Sequence, residues 1–356
     1  MLISIITPSF RQLDWLRLCA ASVRDQAAAP GGMLNDEFSV LNFDPESRIQ
    51  NSEFPNLRLE VEHIIQDAGS PGIEDFAHEM GADFYRDGEL VFASSGDGRS
   101  KLEDRGQRSD VGGQGSESPS PIAHRPSPTP YRLTIYCERD RGMYDAINRG
   151  LSKTSGEICA WLNCDEQYLP GSLAKVVGFF QQAPSMDILL GDALLTDSSH
   201  RPVCYRRIMV PNRWHTRLDH LHSLSCAMFF KRSALPNPPL DPRWRVISDA
   251  VLMDHFLQTG KRTVACKELL SAYAFTGVNL SADKTNTEHG LWWQETQWPP
   301  KWTRPAVVVH NRIRRMRHGS HRKFPIQTAL HTMSSPDARV PLHGIVPGTW
   351  PKNMGF

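Results

Sequence analysis

Short apolar runs that alternate with stretches of helical spacing constrain this 356-residue chain more than any other feature. The first run, Leu2 to Thr7, is rich in Ile and stops at Pro8, which fits a strand buried on both faces of a parallel sheet. Leu13, Leu16, Ala20 and Val23 then recur at helical spacing, with Arg17, Arg24 and Asp25 elsewhere around the wheel. Strand, polar turn and helix open a βαβ unit. Further strands are predicted over 57–66, 133–137, 157–163, 187–191 and 226–231, and a hairpin over 193–207. Helices are predicted over 73–80, 142–151, 173–180 and 248–259, the last ended by Gly260. This order predicts an α/β, Rossmann-like fold, a mostly parallel central sheet with helices on both faces.

Two stretches break the pattern. Residues 28–56 lose periodicity around Pro30, Gly31 and Gly32 and read as a surface insertion. Residues 94–130 hold few aliphatic side chains and no aromatic one. Such a segment cannot offset its ordering entropy by burial, so disorder is expected. The whole chain is 40% hydrophobic and 22% charged, with a net charge of +1. That balance is ordinary for a globular protein and gives no footprint for nucleic acid. No run reaches the ~18 to 20 apolar residues of a membrane span. The opening MLISIITPSF lacks a basic region and breaks at Thr7-Pro8, so it is a poor signal peptide. The seven cysteines form no Cys-x-x-Cys pair. They read as reduced, buried thiols of a cytosolic protein.

Ligands of such sheets bind beyond the carboxyl ends of the strands. Asp67 follows the second predicted strand, Asp140 the third, and Asp165 with Glu166 the fourth. One acid after a strand means little, because turns favour Asp. Three in succession would converge on one crevice. Carboxylates there suit Mg²⁺ or Mn²⁺ and a nucleotide whose phosphates complete the ion's sphere.

The motifs ITPSF, IIQDAGSPG, ERDRGMYDAINRGLSKTSGE and LNCDE occur in this order. They resemble those of the inverting glycosyltransferases of family 2, of the bacterial polysaccharide-building type, which have the GT-A fold. The resemblance spans roughly residues 1–282 apart from the two insertions, leaving 283–356 as a C-terminal extension. It implies that Thr7, Pro8 and Asp67 hold the nucleobase and that Asp140 and Arg141 flank the nucleotide. It also implies that Asp165 meets ribose or metal, that Glu166 ligates Mn²⁺ or Mg²⁺, and that His289 is a late metal ligand. Two positions depart from the family pattern. Ala68 stands where the turn usually has Gly, and Glu166 stands where Asp is usual, its longer arm shifting the ion.

Inverting transfer needs a carboxylate to take the acceptor's proton. WRVISDAVLMDHFLQTGKR resembles the family segment with an acid at a helix start, which makes Asp249 the candidate base. The competing reading is a helix cap at Ser248 or Asp249. Asp254, five residues on, ranks second. His222 resembles a histidine near acceptor or diphosphate, and FTGVNLS a loop that closes over the donor. Over 304–318, Val309, Ile313 and Met316 share one face and four arginines supply a basic one. The first reading is a helix docked on the core with its charges solvated. The second is an interfacial helix making peripheral contact with the anionic inner face of a membrane. The expected activity is metal-dependent transfer from a nucleoside-diphosphate sugar, of UDP type, to a glycan or lipid-linked acceptor. The rivals are a nucleotidyltransferase and a non-catalytic glycan-binding scaffold.

Overall fold

A computed structural model describes residues 1–27, 59–94, 130–277, 279 and 287–349. The two expected insertions fall almost wholly outside the described residues. The chain runs β1 (Leu2–Ser9), α1 (Leu13–Ala27), β2 (Glu60–Asp67), α2 (Ile73–Met80), β3 (Asp83–Arg86), β4 (Glu89–Phe92), β5 (Tyr131–Cys137) and α3 (Met143–Ser152). It continues with β6 (Ile158–Trp161), β7 (Glu166–Tyr168), α4 (Ser172–Gln182), β8 (Ile188–Asp197), β9 (Pro202–Arg206), α5 (Arg213–Leu218), β10 (Met228–Lys231) and α6 (Ser248–Gln258). Last come β11 (Thr263–Phe275), α7 (Glu288–Thr296), α8 (Arg304–Arg317), β12 (Lys323–Thr332) and β13 (Ser335–Pro347).

The fold class is the expected α/β. An 11-stranded sheet has the order β4-β3-β5-β2-β1-β6-β10-β8-β11-β7, with β9 attached to β8. β3, β5, β2, β1 and β6 form an unbroken parallel run. β10 is antiparallel to both β6 and β8, and β8 pairs in parallel with β11. Side chains alternate along a strand, and β1 uses both faces. Ile3 and Ile5 pack with α1 and α4, while Ile6 packs with α3 and α6. Burial on both sides is why this run reads as continuously apolar. At Gly150 an added Cβ would lie 2.5 Å from the Ile6 side chain, so glycine lets α3 settle directly onto β1.

β2 lies on one side of β1 and β6 on the other. That reversal of strand order opens a crevice at the carboxyl edge. The hairpin β3–β4, the three-residue β7 and the long β11 were not expected. β4 is an exposed edge strand without an apolar face, β7 is too short to show a period, and β11 is only partly buried and bulged against β8.

The C-terminal segment packs back onto the sheet. β12 and β13 form a hairpin whose Phe324, Ile326, Leu330 and Val346 join Leu194, Tyr205 and Ala272 in one apolar cluster. α8 forms as expected but docks through another face. Val307 and Asn311 are buried, and Arg314 reaches the Val210 carbonyl and His215 Nδ1, each at 3.1 Å. Val309, Ile313 and Met316 are exposed. Polar anchors on the body of the protein choose the docked side, which apolar spacing alone could not reveal. No helix among the described residues is long and apolar enough to cross a membrane. All seven cysteines are free, and all but Cys137 are buried.

Candidate active site

Register brings the strand-end acids to one edge. Ser9 pairs with Asp67, and Asp67 with Cys137, so β1, β2 and β5 stop in one row. Asp140 lies three residues beyond that row, and β6 ends beside Ile6 of β1. Burial raises the Asp140 carboxyl above its usual range, with smaller contributions from Asp145 and Asp67.

Asp165 and Glu166 follow β6. Glu166 is fully buried; its Oε2 accepts from the Asn163 amide at 2.7 Å, and its Oε1 has no partner among the described residues. Asp165 Oδ2 accepts from Asn279 Nδ2 at 3.1 Å. Burial pushes both carboxyls up, and for Glu166 the neighbouring Asp165 and then Asp249 add to the effect. Adjacent carboxylates, one fully buried with an orphaned oxygen, leave negative charge uncompensated, a cost that a cation would remove. The donor set is all oxygen, as Mg²⁺ and Mn²⁺ prefer.

Asp249 arrives from the far half of the sheet, at the start of α6. Its Oδ1 accepts from the Ala250 amide at 2.8 Å and lies 3.3 Å from the Tyr144 hydroxyl. Burial pushes its carboxyl up to about 6. The capping alternative is not realised: the N-cap is Ile247, with no side-chain cap hydrogen bond among the described residues. Glu288 of α7 serves the same helix start, accepting from the amides of Arg245, Val246 and Ile247 at 2.8 to 3.3 Å. Tyr144, from the MYDAIN motif, ties α3 to that corner through the Val246 carbonyl at 3.0 Å.

Other expected site residues are occupied differently. The buried Thr7 hydroxyl lies 2.9 Å from His63 Nε2, and His63 Nδ1 lies 3.0 Å from the Tyr131 hydroxyl. Burial pushes His63 down to about 3 and keeps it neutral. Pro8 is buried opposite Gln66. The Asp67 carboxylate closes its own turn, accepting from the Gly69 and Ser70 amides and the Ser70 hydroxyl at 2.6 to 2.9 Å. Asp140 accepts from the Gly142 amide at 2.9 Å. Arg141 is exposed and bound to Asp145, whose carboxylate also holds Arg149.

Asp254 is clasped by Arg213 and Arg217 at 2.8 Å each. His222 is buried against Arg206 and Asn311, beside α8. His289 stacks edge-on to Trp292 and hydrogen-bonds the Thr216 backbone, with His220, Arg217 and Arg304 as electrostatic neighbours. Sequence reasoning missed Asn279, Tyr144 and Asp145. The first lies inside FTGVNLS and the other two inside MYDAIN, so the motifs marked their segments but not their contacts.

A family model described as glycosyl transferase family 2 matches residues 130–235. A PGL/p-HBAD biosynthesis glycosyltransferase of Mycobacterium tuberculosis is 32% identical over 120 residues, covering 33% of this chain and 44% of the relative. The same figures hold for its counterpart in Mycobacterium bovis. This chain thus spans less than half the length of the curated relatives it matches. Among solved structures, a Pyrobaculum calidifontis mannosyltransferase in complex with GDP-Man and Mn²⁺ has a TM-score of 0.47 at 12% identity, over 86% of this chain and 68% of that one. Staphylococcus aureus TarS 1–349 in complex with UDP-GlcNAc has a TM-score of 0.44 at 10% identity, over 80% and 61%. The matched segment carries β5, the MYDAIN helix α3 and the LNCDE turn, so over residues 130–235 the chain is similar to glycosyl transferase family 2.

Proposed function

We propose that this chain transfers a sugar, with inversion, from a nucleoside-diphosphate sugar to a hydroxyl of a glycan or lipid-linked acceptor, with Mn²⁺ or Mg²⁺. UDP-sugars are the donors we favour, from the resemblance in the nucleotide motifs. The observation that carries the reading is the convergence of Asp165, Glu166 and Asp249, where a buried Glu166 oxygen lacks a partner among the described residues and senses both other acids. Asp165 and Glu166 would hold the ion, which offsets the charge that gathers on the departing diphosphate. His289 is left out of the ligand set, because Arg217 and Arg304 make its surroundings unfavourable to a cation.

Asp249 is the proposed base. Near neutral pH a carboxyl of about 6 is mostly ionised yet still basic enough to take a proton. As the acceptor oxygen bonds to the anomeric carbon, its proton passes to Asp249. The bond to the diphosphate breaks and its electron pair leaves with the phosphate oxygen. Asn279, joined to Asp165, supports a role for its loop in closing over the donor.

The test is product analysis of the full chain with a panel of UDP- and GDP-sugars and Mn²⁺. Release of nucleoside diphosphate is expected. Pyrophosphate as the product would make it a nucleotidyltransferase. Neither product with any donor, together with no donor binding, would leave the scaffold reading.

A further inference from the structure

Beside α8 lies a cavity of about 280 Å³ that the proposed reaction does not use. His220, His222, Arg312, Arg315, Ser320 and His321 line it, and none of the strand-end acids does. Asp219, His220 and His222 also each place one ligand-type atom within 4.8 Å of the others, which superficially suggests a metal site. Hydrogen bonding argues against a metal. Arg206 Nη2 lies 3.0 Å from His222 Nδ1 and 3.5 Å from His220 Nε2. A guanidinium only donates, so both nitrogens must accept. The ring proton of His220 then sits on Nδ1, which faces Asp219 at 3.0 Å, and a nitrogen that carries a proton does not ligate a cation. Both ring nitrogens of His222 are already engaged, Nδ1 by Arg206 and Nε2 by Asn311 Nδ2.

The surplus charge here is positive. Arg206, Arg312 and Arg315 gather around one carboxylate, Asp219, which is already engaged by His220 and by Asn311 Nδ2 at 2.6 Å. Among the described residues, Arg206 hydrogen-bonds neutral groups, the two imidazoles and the His222 carbonyl. Burial and then Arg315 push Arg206 down to about 10. Ser320 supplies an independent sign of a ligand: it lines the cavity, is 2% exposed, and its hydroxyl has no partner among the described residues.

We propose that this cavity binds a phosphate group, gripped by Arg312 and Arg315 and accepting a hydrogen bond from Ser320. A phosphomonoester carries about −1.5 to −2 at neutral pH, which matches three guanidiniums against one carboxylate. Charge-assisted bonds from arginine to phosphate are among the strong ones. The same chemistry is offered by a soluble phosphorylated molecule and by an anionic lipid headgroup. Exposed Val309, Ile313 and Met316 on α8 suit the headgroup.

The test measures binding rather than turnover, so it stands apart from the transferase reading. Inorganic phosphate is titrated into the full chain at constant ionic strength and followed by calorimetry. Arg312→Gln with Arg315→Gln should weaken binding about tenfold or more, and Ser320→Ala should weaken it a few-fold. UDP binding with Mn²⁺ should not change in either variant. If circular dichroism shows that the double variant is unfolded, Ser320→Ala carries the test alone. A second arm uses vesicles of phosphatidic acid against phosphatidylcholine. Sedimentation with the acidic vesicles, competed by inorganic phosphate and lost in the variants, assigns a headgroup site. Phosphate binding without vesicle binding assigns a soluble ligand. No phosphate binding up to about 10 mM, or equal affinity in all variants, overturns the proposal.

Discussion

Asp249 and Asp254 sit on one helix and are set apart by their partners. Two arginines clasp Asp254 from both sides, so both its oxygens are already engaged. Asp249 has a hydroxyl and one amide. Asp249→Asn keeps size and can still accept from the Ala250 amide but cannot take a proton near neutrality. Turnover is expected to fall ~10² to 10⁴-fold, or about 3 to 5 kcal/mol of barrier. Donor affinity by calorimetry should stay near wild type; a turnover within a few-fold of wild type would remove Asp249 from the role. The raised carboxyls also set a pH signature. Asp249 is up at about 6, Asp192 at about 7 and Glu166 at about 8. Their folded values exceed the unfolded ones, so the native state holds more protons between about pH 4 and 8. Without metal, stability from these groups is present at the acid end and lost as pH rises through that window. Mn²⁺ needs the ionised pair, so its stabilising effect should grow over the same range. Melting temperature against pH, with and without Mn²⁺, checks both slopes. At this scale the sequence was least legible. It marked Thr7 and Asp67 by type and place, but His63 and Ser70 hold their side-chain oxygens. Those partners lie in other strands or across a turn, where no spacing rule reaches.

Elements were read best where burial was simplest. β1, β2, β5 and β6 are covered on both faces and show as apolar runs, whereas β7, β4 and β11 are short, exposed or bulged and show none. The hairpin β12–β13 was legible in principle, since Phe324, Ile326, Thr328 and Leu330 alternate, but the arginine-rich helix before it drew the reading toward a surface segment. Packing makes the hairpin part of the body. Phe324 stacks on Tyr205 with ring centroids 4.2 Å apart, and Arg207 lies over its ring. Phe324→Ala should therefore cost about 3 to 5 kcal/mol. Denaturant unfolding gives the figure, and a loss below about 1 kcal/mol would mean the hairpin is only loosely applied.

At the scale of the whole molecule, the segment 96–129 stands apart by composition. Phe92 lies opposite Phe84, which pairs in turn with Ile135. β4 and β5 are therefore two strands apart, about 10 Å. A Gly-Ser linker of about six residues in place of 96–129 spans that gap and the offset along the strands. Expression, melting temperature and UDP affinity should be nearly unchanged by the replacement. Loss of soluble protein would show that the segment does contribute a fold of its own. The hairpin has the opposite character. Gln167, next to Glu166, is held by both backbone groups of His331 at 2.9 Å. Asp25 of α1 is held by His331 at 2.8 Å and by Arg339 at 3.0 Å. The last two contacts join residues 306 and 314 positions apart in sequence, among the most expensive loops to close during folding. A chain growing from its N-terminus would complete all the strand-end acids and α6 long before Arg339 emerges. During synthesis the strand bearing Glu166 thus has β11 and α1, but not the hairpin, to hold it until the far end of the protein arrives, and chaperone dependence is the consequence to look for in vivo.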